Sequence, residues 1–248
     1  MAATGFPESP PTKVGPSIAD YLGSFHSALA AVAALQYRER TGEGQFIDIS
    51  LQDCVWAITG PEYAGFYFAT GEEPLRLGNG QCQAVPFNVY PAKDGYVAIA
   101  IVTVGQFESF LRVIGREDLI GVEKYATIAE RANYRDEVDA LVEEWIKTQS
   151  VEEILNKFRK AHLPASSVSS ISEAANDPQL LERGMITEVE QLISGKVQVT
   201  GSAFKLSKTP GDTTVPAPFL GEHNYEVYSG VLGYGEEEIT KLTELVIV

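Results

Sequence analysis

Between Ser17 and Arg40 the residues Ile18, Leu22, Phe25, Leu29, Val32, Ala33 and Leu35 recur at helical spacing, through an Ala-rich stretch from Ala28 to Ala34. Apolar side chains three and four positions apart form one stripe along a helix, and small ones let a neighbour approach closely. The spacing predicts a long, largely buried helix. What precedes it has the opposite character. Met1 to Pro16 holds four prolines and no period, so the chain opens in extended or loop conformation with nothing of its own to pair against. That is an unusual opening for an independent fold.

The helix ends in the charged run Arg38-Glu39-Arg40 and the turn Thr41-Gly42-Glu43-Gly44. Phe46 to Leu51 then alternates like a short strand, and a second helix is predicted from Gln52 to Ala69, bent near Gly60-Pro61. Gly71 to Gln83 reads as a loop. Val85 to Tyr90 and Tyr96 to Val102 read as strands joined by the turn Pro91 to Gly95. Helices are predicted at Gln106 to Ile114, Tyr134 to Thr148 and Val151 to Ala161, before Pro164 breaks the pattern. Further on come a short helix at Ser172 to Asn176 and paired strands at Met185 to Val189 and Lys196 to Thr200. A Pro-bounded connector from Pro210 to Pro218 follows, then one or two helices between Asn224 and Leu245. No internal repeat is visible. Boundaries are expected near Gly71 and Ala203. Residues 1–70 and 203–248 then form one unit, and 71–202 a smaller inserted α+β domain. The fold class is α/β.

With 248 residues, 44% of them hydrophobic and 21% charged, the chain is long enough to bury one large core or two small ones. A net charge of -15 leaves little through which to bind a polyanion, so nucleic acid is not an expected partner. The two cysteines, Cys54 and Cys82, form no CxxC pair. This excludes a disulfide scaffold and favours a reducing, cytoplasmic compartment. No uninterrupted apolar run reaches the roughly 18 to 20 residues a membrane span needs, and no basic n-region opens the chain, so neither membrane nor export is expected.

The three histidines, His26, His162 and His223, lie far apart and outside HxH or HxxxH spacing, so no metal site is expected. Gly78-Asn79-Gly80 is not a dinucleotide fingerprint and reads, taken alone, as a turn; no phosphate-loop motif occurs. No GxSxG elbow is present, and Cys54 beside Val55 and Trp56 reads as a core thiol. Asp20 sits in the first turn of the long helix, where the dipole favours negative charge; on spacing alone it reads as a helix cap. The glutamate clusters read as solvated helix faces and His223 as a surface turn residue. Pattern alone defines a class of fold and no reaction.

A set of stretches resembles the class III CoA-transferases, the formyl-CoA transferase or CaiB/BaiF family. These are Ser17 to Gly23 (SIADYLG), Ala33-Ala34-Leu35 with Arg38, Arg40 to Gln45 (RTGEGQ) and Asp48 to Asp53 (DISLQD). They continue with Pro86 to Tyr90 (PFNVY), Lys93 to Ile99 (KDGYVAI), Leu163 to Ile171 (LPASSVSSI), Asp177-Pro178-Gln179 and Arg183-Gly184-Met185. Pro216 to His223 (PAPFLGEH) and Leu232-Gly233-Tyr234 close the set. They cover nearly the whole chain in family order.

The resemblance implies that Asp20, in the [ADG]-Asp-x-x-[GS] stretch, is the catalytic carboxylate. It attacks an acyl-CoA to give a mixed anhydride and then an aspartyl-CoA thioester, from which CoA passes to an acceptor acid. It implies a glycine loop over the active site at Gly78, Asn79, Gly80 and Gln81, with a shorter glycine run than in formyl-CoA transferases. Leu51, Glu222 and His223 are implied as active-site lining. The substrates implied are an acyl-CoA thioester and a carboxylic acid, with no permanently bound cofactor. The chain corresponds to the C-terminal portion of the family pattern: part of a Rossmann-like large domain plus a small α+β domain. About the first two-fifths of the pattern has no counterpart. The expectation is therefore a separate N-terminal Rossmann-like subunit, or a nicked precursor, in an interlaced particle with at least two copies of each half. Two alternatives remain. In an α-methylacyl-CoA racemase the matching Asp acts as a base at the α-carbon; in a non-catalytic scaffold subunit Asp20 is idle.

Overall fold

The computed structural model describes residues 1–245, apart from the Pro61 side chain. The chain forms two compact units, Met1–Val168 and Ser169–Val248.

In the first unit the core lies entirely between Val85 and Leu163. Strands β1 (Phe87–Pro91), β2 (Tyr96–Ala100) and β3 (Ala165–Ser167) form one antiparallel sheet with β2 in the centre. Tyr90 stands opposite Val97, and Ile99 opposite Ala165. The period of two along a strand is the reason: Val97 and Ile99 point to one face and are buried, while Tyr96 points away. Helices α4 (Val104–Val113), α6 (Arg135–Ile146) and α7 (Val151–Lys160) supply most of the rest of the core, joined by Val85, Ile101, Tyr125 and Leu163 from the connecting segments, with the Phe110 and Phe158 rings edge to face at 6.0 Å. Each such buried side chain contributes about 1.5–3 kcal/mol. Two of these helices start where their sequences dictate. Thr103 forms a capping box with Gln106, and Ser150 one with Glu153.

N-terminal to that core, helix α1 (Ile18–Thr41) packs against α2 (Leu51–Thr59). A π-helical turn at Gly60–Ala64 leads on to α3 (Gly65–Thr70), which is the bend foreseen at Gly60-Pro61. Two expectations fail here. The helix over α1 forms, but of its residues only Gly23 is buried, and Tyr21, Phe25, Leu29 and Val32 are each more than half exposed. Nothing in the described residues except α2 covers its stripe. The segment Phe46 to Leu51 is not a strand, because no partner takes up its backbone hydrogen bonds, and Leu51 instead opens α2. By length and composition α1 is also long and apolar enough to cross a membrane, with a mean hydropathy of 1.3 over its best 18-residue window. Its apolar residues are interrupted by polar ones, so no continuous run marks it in the sequence. A packed core helix meets the same criterion.

Between α4 and α6 lies α5 (Ile128–Asn133), a short helix that the sequence reading had passed over, as it had β3.

The second unit holds α8 (Ile171–Ala175), α9 (Pro178–Glu182) and the antiparallel hairpin β4 (Ile186–Gln191) with β5 (Gly195–Thr200). It continues with a π-helical turn at Glu226–Val231 and α10 (Glu236–Glu244). The hairpin and the unstructured 210–218 connector match the sequence reading. Both sheets among the described residues are antiparallel.

Candidate active site

Helix α1 begins at the N-cap Ser17, whose side chain makes no capping bond, and Asp20 is the third helical residue. At that position a carboxylate ordinarily reaches back to the N-cap amide or accepts from its own first turn. Asp20 does neither. Its carboxylate is exposed, and among the described residues it accepts no hydrogen bond and pairs with no cation. The cap reading drawn from spacing is therefore not what the structure shows. An ionisable group at the positive end of a 24-residue helix is left free.

The free carboxylate faces a cleft of about 490 Å³ between the N-terminal strap, the start of α1 and α2, lined among others by Lys13, Val14, Val55, Ile58 and Tyr63. Lys13 is the one cationic side chain among the residues lining it. Its Nζ donates to the Val14 and Gly15 carbonyls, each at 3.0 Å. Burial, helped by Cys82 and Glu62, pushes the Tyr63 phenol above its ordinary value, and its hydroxyl donates to the Ala3 carbonyl at 3.4 Å. A second cleft, of about 630 Å³, adjoins the first through Ala19, Val55 and Thr59 and is lined also by Leu51 and Trp56. Leu51 reaches it by packing on Gly23, one turn beyond Asp20, where a β-carbon would overlap Leu51 Cδ2. A side chain three places after the Asp would therefore displace the end of Leu51.

The Pro-rich strap is not free. Its Gly5 carbonyl accepts from Gly78 N at 3.0 Å, and the Arg76 guanidinium donates to the carbonyls of Pro7, at 3.1 Å, and Ser9. The loop carrying Gly78, Asn79, Gly80 and Gln81 is pinched from two sides. Gly78 has φ +62° and faces the Phe6 ring so closely that a β-carbon would come within 2.6 Å of it. Gly80 faces the Arg135 guanidinium, whose Nη1 would stand 3.5 Å from a β-carbon there. Gln81 anchors the loop's base: its Oε1 accepts from Gln83 N at 2.6 Å and Ala84 N at 2.7 Å, and its Nε2 donates to Glu62 Oε1 at 3.2 Å. Asn79 is exposed.

Glu222 and His223 belong to the second unit. Glu222 Oε2 accepts from Phe219 N at 2.6 Å, and His223 Nδ1 lies 3.4 Å from Glu226 Oε2. Sequence reasoning missed Lys13, Tyr63, Phe6, Arg76 and Arg135, each of which acts across long stretches of chain or through a backbone carbonyl. Chemically, the arrangement offers an unencumbered carboxylate, the Lys13 ammonium and the Tyr63 phenol around a cleft whose remaining lining is mostly apolar, with the hydroxyls of Thr4, Ser17 and Thr59.

The sequence profile of CoA-transferase family III matches residues 1–224, and the chain belongs to this family. It is 31% identical over 245 residues to succinyl-CoA–D-citramalate CoA-transferase from Chloroflexus aurantiacus, covering 97% of this chain and 60% of that protein. It is 33% identical over 246 residues to the succinyl-CoA–L-malate CoA-transferase alpha subunit of the same species, covering 98% and 57%. The crystal structure of a CaiB/BaiF family protein from Brucella suis superposes with a TM-score of 0.71 at 30% identity, over 93% of this chain and 59% of that one. The chain thus spans about 60% of the length of the relatives it matches.

Proposed function

We propose that this chain carries the catalytic carboxylate of a CoA-transferase that moves CoA from an acyl-CoA donor to a carboxylic acid. The observation that carries this reading is Asp20, exposed and without a partner in the first turn of α1 at the mouth of the 490 Å³ cleft. The carboxylate adds to the thioester carbonyl, and the C–S bond breaks to leave an acyl-aspartyl anhydride and CoA thiolate. The thiolate then attacks the aspartyl carbonyl, releasing the donor acid and forming an aspartyl-CoA thioester. An acceptor carboxylate reverses the two steps and frees Asp20. Each step trades one activated acyl bond for another. Backbone N–H groups at the start of α1 are suited to hold the developing oxyanion, and Lys13 offsets the charge of an anionic acid entering beside Asp20.

The loop of Gly78 to Gln81, continued by Cys82, is read as the cover that keeps water from the intermediate, with Leu51 forming the wall behind Asp20. The relatives' names point to succinyl-CoA as donor and a small dicarboxylic acid as acceptor. The exposed stripe of α1 is read as the face on which a Rossmann-like half packs, from another segment or another chain, in an interlaced particle with two copies of each half. A relative named as an alpha subunit supports a multi-chain assembly. Residues 1–70 and 203–248 would then share the large domain.

The test is to incubate the assembled enzyme with succinyl-CoA in deuterated water, with and without L-malate. Malyl-CoA formed only when malate is present, with no deuterium entering the acyl group, is the expected result. Deuterium at the α-carbon without an acceptor would replace transfer by racemase chemistry, with Asp20 as the base.

A further inference from the structure

Arg135, near the start of α6, forms no ion pair among the described residues, although Asp136 adjoins it and Asp139 lies one turn on. Asp139 is engaged elsewhere: it accepts from the Tyr90 hydroxyl at 2.5 Å and from Asn88 Nδ2 at 3.5 Å. The Arg135 guanidinium instead reaches back more than fifty residues, where Nη2 donates to the carbonyls of Gln81 at 2.8 Å and Cys82 at 3.1 Å. Its Nη1 lies in van der Waals reach of Gly80, 3.5 Å from where a β-carbon would stand. One turn earlier, the buried Arg131 fixes the same stretch further on, with Nε donating to the Val85 carbonyl at 2.9 Å. A planar, permanently charged donor directed at two successive carbonyls holds a loop in one posture, because those carbonyls otherwise turn to water.

We infer that Arg135 is a positioning residue that latches the 78–82 loop to the small-domain core, so that the loop stays closed while an aspartyl-CoA intermediate exists. This rests on the functional reading above, in which the loop excludes water from that intermediate. An open loop admits water, which adds to the aspartyl-CoA carbonyl. The C–S bond breaks, CoA leaves as its thiol with a proton from the water, and Asp20 returns as the free acid. The signature of a lost latch is therefore leakage, in which CoA thiol is released without transfer.

The experiment uses the assembled enzyme carrying Arg135→Gln, Arg135→Lys or Gly78→Ala. Two readouts are taken: iodoacetamide labelling of Cys82 under native conditions, and the ratio of CoA thiol release from succinyl-CoA to exchange of labelled succinate into succinyl-CoA. Loss of a charge-assisted pair of bonds predicts that Arg135→Gln labels Cys82 about tenfold faster and raises the leakage ratio about tenfold; both bonds come from the one nitrogen Nη2, so the single ammonium of Arg135→Lys restores most of both. Unchanged Cys82 labelling in Arg135→Gln, compared at the high-pH plateau of each variant where the thiol is fully ionised, overturns the latch, whatever the activity. Faster labelling with an unchanged leakage ratio overturns its role in the reaction. If Gly78→Ala leaks while Arg135→Gln does not, the loop reading stands and the latch falls. If neither leaks although Asp20 is still trapped as an adduct, the loop reading falls and takes the latch's role with it.

Discussion

Leu51 packs on Gly23 so closely that a β-carbon at position 23 would overlap its Cδ2. The contact joins the first turn of α2 to the turn of α1 that follows Asp20, and it brings Leu51 to the cleft adjoining the carboxylate. The only buried position on the long helix is therefore the one on which α2 packs.

The atom in the way is the end of a half-exposed side chain, so Gly23→Ala is expected to alter stability by less than about 1 kcal/mol, helix propensity offsetting the displacement of Leu51. Activity should fall nonetheless. Leu51→Ala in the same chain should recover part of it, giving a double-mutant cycle in which the two changes are not additive. Denaturation midpoints and initial rates on the four variants measure this.

Asp20 makes no contact that folding needs. Asp20→Asn should leave the unfolding free energy within about 0.5 kcal/mol of the parent chain, as for an isolated surface change. Turnover should fall about a thousandfold or more, since a carboxamide cannot carry the covalent step. A parallel loss of stability and activity would mean that the residue is structural.

Burial and the nearby Glu62 hold the Cys82 thiol above its ordinary value. Only the thiolate reacts with iodoacetamide, so at pH 8 Cys82 should label more slowly than free cysteine, and its rate should still be climbing above pH 9.0, the ordinary value from which it is raised. Arg135 pulls the value down, so Arg135→Gln should move the profile further upward even as it opens the loop. Cys54 is 5% exposed and should label only on unfolding. A Cys82 rate that levels off below pH 9.0 would contradict the placement of the loop.

Arg131 is fully buried without a carboxylate. It donates to Val85 and Tyr125 carbonyls at 2.9 and 3.0 Å, lies 4.4 Å over the Phe107 ring, and has its guanidinium pushed below the usual range by desolvation. Arg131→Met fills much of the volume but strands two carbonyls, and should cost about 2 kcal/mol of stability in urea denaturation. Arg131→Lys should not restore it, since an ammonium lacks the fork that serves both carbonyls.

Where a segment's structure is determined by its neighbours in sequence, it was legible. The helix starting at Val151, the strand starting at Tyr96, whose residues prove to alternate between buried and less buried, and the bend near Gly60-Pro61 were read from local residues and are observed. Phe46 to Leu51 has the same alternation and fails as a strand, because period two creates no strand without a partner edge. The reverse holds for β3, whose Ala-Ser-Ser sequence has little strand character and is ordered by pairing with β2. For α1 the helix was legible and its burial was not, since burial depends on what covers the stripe. At the site, spacing favoured a cap for Asp20, and only the family resemblance singled it out. The structure adds that the carboxylate is not engaged in capping. The grip on the loop by Phe6 and Arg135 joins positions more than fifty residues apart and left no local signal.

The most direct test of the account is mass analysis of the Asp20 peptide after the assembled enzyme has met succinyl-CoA and been quenched with hydroxylamine. An aspartyl hydroxamate at Asp20, absent without the acyl-CoA and absent in Asp20→Asn, is the predicted result. An unmodified Asp20 in an enzyme that is transferring CoA at full rate would contradict it.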